Sequence, residues 1–268
     1  MAYKEWGDPL NPKVLICVHG VTRVSDDFDV LAQALENDYR VICPDVVGRG
    51  RSDHLANPQL YQLPQYVSDM VTLLARANAE TVDWFGTSMG GLIGLVLAGM
   101  KHNPIRKLIL NDVGPSLNFE AMRRIGEYIG QDVRFDRFED AAQFIRTISA
   151  SFGPHDEAQW HKIVSDVLKQ DTDGKWIRHY DLGLAVPVKA VTEESAKLAQ
   201  MMLWASYDAI RCDTLLIRGA ESDLLSSETA QQMRQRGPCA QLREIAGVGH
   251  APSFVHADQI AIVQDFLL

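Results

Sequence analysis

The chain has 268 residues, 46% hydrophobic and 23% charged, an ordinary balance for a globular protein able to bury a sizeable core. Its formal net charge is −9 and no basic run occurs, which argues against nucleic acid and anionic membranes as partners. No apolar stretch approaches the roughly 18 residues of a membrane span, and the leading Met1-Ala2-Tyr3-Lys4-Glu5-Trp6 has no signal-peptide core, so the expected setting is cytoplasmic.

Short apolar runs at 14–18, 40–43, 81–85, 107–111, 214–218 and 241–245 alternate with amphipathic stretches. That alternation predicts an α/β fold with a mostly parallel, doubly wound sheet. Phe28, Leu31, Ala32 and Leu35 recur at helical spacing, with Ser25 the expected N-cap. Val67, Met70, Val71 and Leu74 predict a second amphipathic helix in the same way. The stretch after Ser88 (Leu92, Ile93, Leu95, Val96, Leu97, Ala98) is apolar nearly all round, as a helix buried on several sides would be. From about 118 to 207 the alternation stops. Three helical stripes are predicted there: Ala141, Phe144, Ile145 and Ile148; Trp160, Ile163, Val164 and Val167; and Leu198, Met201, Met202 and Ala205. Cys17, Cys43, Cys212 and Cys239 lie far apart. They read as small hydrophobes in a reducing compartment, not as a disulfide framework or zinc site.

Chemistry concentrates in four segments. Gly86-Thr87-Ser88-Met89-Gly90 lies between a predicted strand and a predicted helix. A serine at so sharp a turn is strained, needs glycine on both sides, and presents its hydroxyl to the following helix N-terminus. His19-Gly20-Val21 follows the strand at 14–18, Gly219-Ala220-Glu221-Ser222-Asp223 follows that at 214–218, and Gly247-Val248-Gly249-His250 follows that at 241–245. The order Ser88, Asp223, His250, with a His-Gly loop upstream, resembles the α/β-hydrolase family.

The resemblance implies a core of residues 1–117 and 208–268 and an inserted helical cap, or lid, at 118–207. It implies Ser88 as nucleophile, His250 as base, Asp223 as the acid that orients it, and the backbone N–H groups of Val21 and Met89 as oxyanion hole. Asp112, at the end of the preceding strand, is the alternative acid, because some members take theirs from there. His19 and the loop Pro44-Asp45-Val46-Val47-Gly48-Arg49-Gly50-Arg51-Ser52-Asp53 are expected to be structural. Such chains usually open on an antiparallel hairpin; Tyr3 to Pro9 matches its second strand, so the first edge strand is expected to be missing.

The implied reaction is hydrolysis of a small carboxylic ester through an acyl-enzyme. Its partner is a small-molecule acyl substrate, with no cofactor and no metal, in a monomer or homodimer. Ser88 at the elbow argues against relatives that use an aspartate nucleophile, the haloalkane dehalogenases and epoxide hydrolases. Hydrolysis of a carbon–carbon bond in ring-cleavage-type diketone acids, a slow-turnover small-molecule receptor, and a cofactorless lyase or haloperoxidase remain open. Arg123, Arg124, Arg146 and Arg178 are candidates for a substrate carboxylate, against the plainer reading of solvated surface groups.

Overall fold

The computed structural model describes residues 1–268. Nine strands are present: β1 (Tyr3–Trp6), β2 (Val14–Val18), β3 (Arg40–Pro44), β4 (Val82–Thr87), β5 (Ile105–Asn111), β6 (Leu168–Gln170), β7 (Trp176–Arg178), β8 (Asp213–Gly219) and β9 (Gln241–Ile245). Seven form one sheet in the order β1-β3-β2-β4-β5-β8-β9, and β6 and β7 pair separately. Every neighbour in the large sheet is parallel except β1, which runs antiparallel along β3 as the edge strand.

The inner strands β2, β3, β4, β5 and β8 are largely apolar because both faces of the sheet are covered there, whereas the edge strands β1 and β9 carry polar, exposed positions. Val14, Ile16 and Val18 of β2 point into one hydrophobic cluster, and Leu15 and Cys17 into the other. The first cluster receives α2 (Leu63–Ala77), α3 (Met89–Ala98) and α8 (Glu193–Ala209). The second receives α1 (Asp29–Leu35) and α10 (Ala257–Leu267). α3 is buried almost all round, as expected. No helix is long and apolar enough to cross a membrane.

Sheet order places the site. After β2 the chain steps outward to β3, then returns to β4 on the other side of β2. Loops leaving a sheet at such a reversal part from one another and open a crevice at the strands' carboxyl ends. Val18 pairs with Gly86, so the His19-Gly20-Val21 loop emerges beside Ser88. Thr87 pairs with Asn111, so Asp112 emerges on the serine's other flank.

The inserted segment differs from the expectation in three ways. It is not helix throughout: beside α4 (Phe119–Tyr128), α5 (Phe138–Ile148), α6 (Glu157–Ser165) and the short α7 (Ala185–Lys189) it contains the antiparallel β6–β7 ribbon. A bridge from Tyr180 to Arg49 ties the chain just after that ribbon to the loop following β3. Finally, α8 buries Leu203, Trp204 and Tyr207 against the sheet's first cluster and leaves Leu198, Met201 and Met202 exposed, so by packing it lies with the core. The aromatic face wins because it buries more area and because the Tyr207 hydroxyl finds a partner, the Met233 carbonyl at 2.7 Å.

Two smaller expectations also change. Ser25 caps nothing with its side chain; it begins a 3₁₀ turn (Ser25–Phe28), and its backbone N–H donates to Asp45 Oδ1 at 2.7 Å. On α2 the buried stripe includes Tyr66 and Leu73, while Val71 is exposed.

Candidate active site

β4 delivers the chain to Ser88 with φ 51° and ψ −114°. A non-glycine residue with positive φ costs on the order of 1–3 kcal/mol, and the surroundings hold it there. Ser88 N–H donates to the Asn111 carbonyl at 3.0 Å, and the Ser88 carbonyl accepts from Gly91 and Leu92 of the helix that follows. A Cβ at Gly86 would overlap the Gly90 backbone, and one at Gly90 would overlap the Val18 carbonyl, so closeness alone forbids a side chain on either side of the serine. The Trp84 indole N–H then ties the turn to the Gly90 carbonyl at 3.1 Å.

The Ser88 hydroxyl lies 2.9 Å from His250 Nε2, and His250 Nδ1 lies 2.7 Å from Asp112 Oδ2. An ionised carboxylate only accepts, so Nδ1 carries the ring proton and Nε2 is left to receive the serine's. Asp112 is fully buried. It also accepts from the Gly219 N–H at 2.9 Å and the Ser222 hydroxyl at 2.6 Å. Asn111 ties the histidine loop down by donating to the Pro252 carbonyl at 2.9 Å and to the Thr87 hydroxyl at 3.0 Å.

The carboxylate that meets His250 is thus Asp112 and not the expected Asp223. Asp223 pairs instead with Arg124, and its side chain is 46% exposed. The Arg124 guanidinium holds the Asp223 carboxyl below the usual carboxylate range. The tight turn after β8, closed by Ser222 N–H on the Gly219 carbonyl, spends Ser222 on Asp112 and sends Asp223 outward. Asp112 itself adopts φ 53°, a conformation that aspartate tolerates better than most residues.

The two expected oxyanion donors are free to act, since neither the Val21 nor the Met89 N–H is engaged elsewhere in the fold. Their supports come from other loops. His19 is fully buried, with Nδ1 donating to the Gly20 carbonyl at 2.7 Å and Nε2 accepting from the Val46 N–H at 3.0 Å. Burial pushes its pKa down to about 4, so it is neutral. Arg49, also fully buried, donates through Nε to the Val21 carbonyl at 2.9 Å and lies 3.3 Å from the Met89 sulfur, stacked 4.8 Å from the Tyr66 ring. Nothing in Gly48-Arg49-Gly50 marks one arginine as buried.

A cavity of about 550 Å³ opens above Ser88 and His250 and is roofed by the inserted segment, with Ile125, Ile145, Ile148 and Phe152 among its apolar walls. That size suits a small organic ligand. The roof also touches the catalytic loop directly, for the Ser151 hydroxyl donates to the His250 carbonyl at 2.7 Å.

The sequence profile of the alpha/beta hydrolase fold matches residues 13–257. A 3-hydroxybutyrate-oligomer hydrolase of Cupriavidus necator is 55% identical over 269 residues, covering 99% of this chain and 92% of that protein. Esterase YbfF of Escherichia coli is 25% identical, over 93% of this chain and 89% of its own. The crystal structure of an alpha/beta hydrolase from Novosphingobium aromaticivorans superposes with a TM-score of 0.88 at 33% identity, covering 99% of this chain and 92% of that one. A profile match over most of the length, joined to a relative more than half identical, makes this chain a member of the alpha/beta hydrolase fold family.

Proposed function

We propose that the protein hydrolyses the ester bonds of short hydroxy-acid oligomers, on the strength of its Cupriavidus necator relative being a 3-hydroxybutyrate-oligomer hydrolase, with Ser88, His250 and Asp112 as the catalytic triad. The observation that carries the reading is the continuous hydrogen-bonded chain from the Ser88 hydroxyl through both His250 nitrogens to buried Asp112. Ser88 Oγ attacks the ester carbonyl carbon as its proton passes to His250 Nε2. Asp112 stabilises the imidazolium so formed. The carbonyl oxygen, now negative, sits between the Val21 and Met89 N–H groups, each donor of this kind being worth on the order of 3–4 kcal/mol to the transition state. His250 returns the proton to the departing alkoxide, leaving an acyl-serine and a free alcohol. Water then attacks the acyl carbon with His250 again taking the proton, and collapse returns that proton to Ser88 Oγ and releases the carboxylic acid.

The nucleophile assignment is tested with a fluorophosphonate. One adduct per chain is expected, and peptide mapping should place it on Ser88. Folded protein that stays unlabelled, or is labelled at another serine, would remove the nucleophile from this reading.

A further inference from the structure

Three arginines line the cavity that holds Ser88: Arg23, Arg124 and Arg178. Two are neutralised, Arg23 by Asp27 at 2.6 Å and Arg124 by Asp223. Arg178, which closes β7, has no carboxylate partner although it is only 6% exposed. Its Nη1 donates to the Tyr128 carbonyl at 2.8 Å and its Nη2 to the Gln131 carbonyl at 2.6 Å, while Nε has no partner. A guanidinium has five N–H groups, so about three remain unspent here. The guanidinium lies over the Tyr180 ring at 4.9 Å and near the Phe144 ring at 5.7 Å. Tyr180 also lines the cavity, and its buried hydroxyl has no acceptor for its proton. A desolvated cation with unspent donors is expensive unless an anion completes it, and a planar fork beside a hydroxyl matches a carboxylate.

We infer that Arg178, with the Tyr180 hydroxyl, is a subsite for a free carboxylate on the substrate. The inference rests on the ester-hydrolase reading above and extends it. In a linear oligomer of a hydroxy acid the single free carboxylate lies on the alcohol side of every ester bond. Arg178 therefore holds the leaving fragment. It accelerates formation of the acyl-enzyme and has no hold on its breakdown, when that fragment has left.

The test compares the linear dimer of 3-hydroxybutyrate as free acid with its methyl ester. Wild type is expected to favour the free acid by about 10–100-fold in kcat/KM, the range of one charge-assisted pair. Arg178→Gln should erase that preference, bringing kcat/KM on the free acid down to that on the methyl ester mainly through KM, while the phosphonate still labels Ser88. Arg178→Lys should recover part of the preference. Tyr180→Phe, which removes a single oxygen, should lower it several-fold. Should Arg178→Gln fail to fold, wild type alone decides: 3-hydroxybutyrate should protect Ser88 from the phosphonate and 3-hydroxybutyramide should not. The subsite is overturned by a wild type indifferent to the free carboxylate, by equal protection from acid and amide, or by variants that slow both substrates alike. Those results would leave Ser88 labelled and neutral esters cleaved, whereas failure of labelling itself would count against the ester-hydrolase reading.

Discussion

Asp112→Asn is expected to lower kcat/KM on any ester substrate by about 10⁴-fold, while Asp223→Asn leaves it within a few-fold. The first change keeps the shape of the buried side chain but removes its charge. An asparagine that still accepts from the Gly219 N–H would turn its NH₂ toward His250 Nδ1, which now lies 2.7 Å from a carboxylate oxygen. The ring would then have to place its proton on Nε2, where it blocks transfer from Ser88. The second change breaks an ion pair with Arg124 whose members are 54% and 46% exposed, and such a pair contributes on the order of 0–1 kcal/mol. Measuring kcat/KM and thermal unfolding for both variants decides the matter. A large loss in Asp223→Asn beside a mild one in Asp112→Asn would return the acid to the loop after β8, with the hydrogen bond seen here a resting arrangement only.

Between about pH 6.5 and 4, wild type is expected to lose about 3 kcal/mol of stability through His19. Burial depresses the pKa of His19 in the fold to about 4 from an ordinary 6.5, so in this window the unfolded chain binds a proton that the native protein refuses. Stability from this group is complete above 6.5, falls as pH drops, and changes no further below about 4. Asp166 acts oppositely. Burial raises its carboxyl from 3.8 to about 6, so the native state takes that proton first and gains stability as pH falls. The His19 contribution must therefore be read as the difference between wild type and His19→Gln in urea unfolding at several pH values. The glutamine carbonyl can still accept from the Val46 N–H, which His19 Nε2 does at 3.0 Å. The gap between the two stability curves should change by about 3 kcal/mol from pH 6.5 to 4; parallel curves would mean that folding leaves the titration of His19 unshifted, so that it is not held neutral by burial.

What sequence alone determined is what short-range chemistry dictates. Strands buried on both faces must be largely apolar runs, so β2, β4, β5 and β8 were legible within a residue or two. The elbow was legible because the close approach of Gly86 to Gly90 and of Gly90 to Val18 admits no side chain, whatever the rest of the chain does. His250, Val21 and Met89 were singled out by the family resemblance that their loops carry, and the fold brings all three loops to Ser88.

Tertiary structure alone decided which carboxylate meets the histidine. Asp112 and Asp223 both follow adjacent strands, and the choice turned on the β5–β8 register and on a turn that spends Ser222 on Asp112. It also decided which of two apolar faces α8 would bury: Leu198, Met201 and Met202 have good spacing, but Leu203, Trp204 and Tyr207 are the residues that join the sheet's first cluster. Arg49 and Arg178 belong to the same class. An arginine reads as solvated until folding brings carbonyls and aromatic rings around it from distant segments, as Val21 and Tyr66 do for Arg49 and Tyr128, Gln131 and Tyr180 do for Arg178. A cation without a carboxylate is a property of that assembled neighbourhood, and no local spacing encodes it.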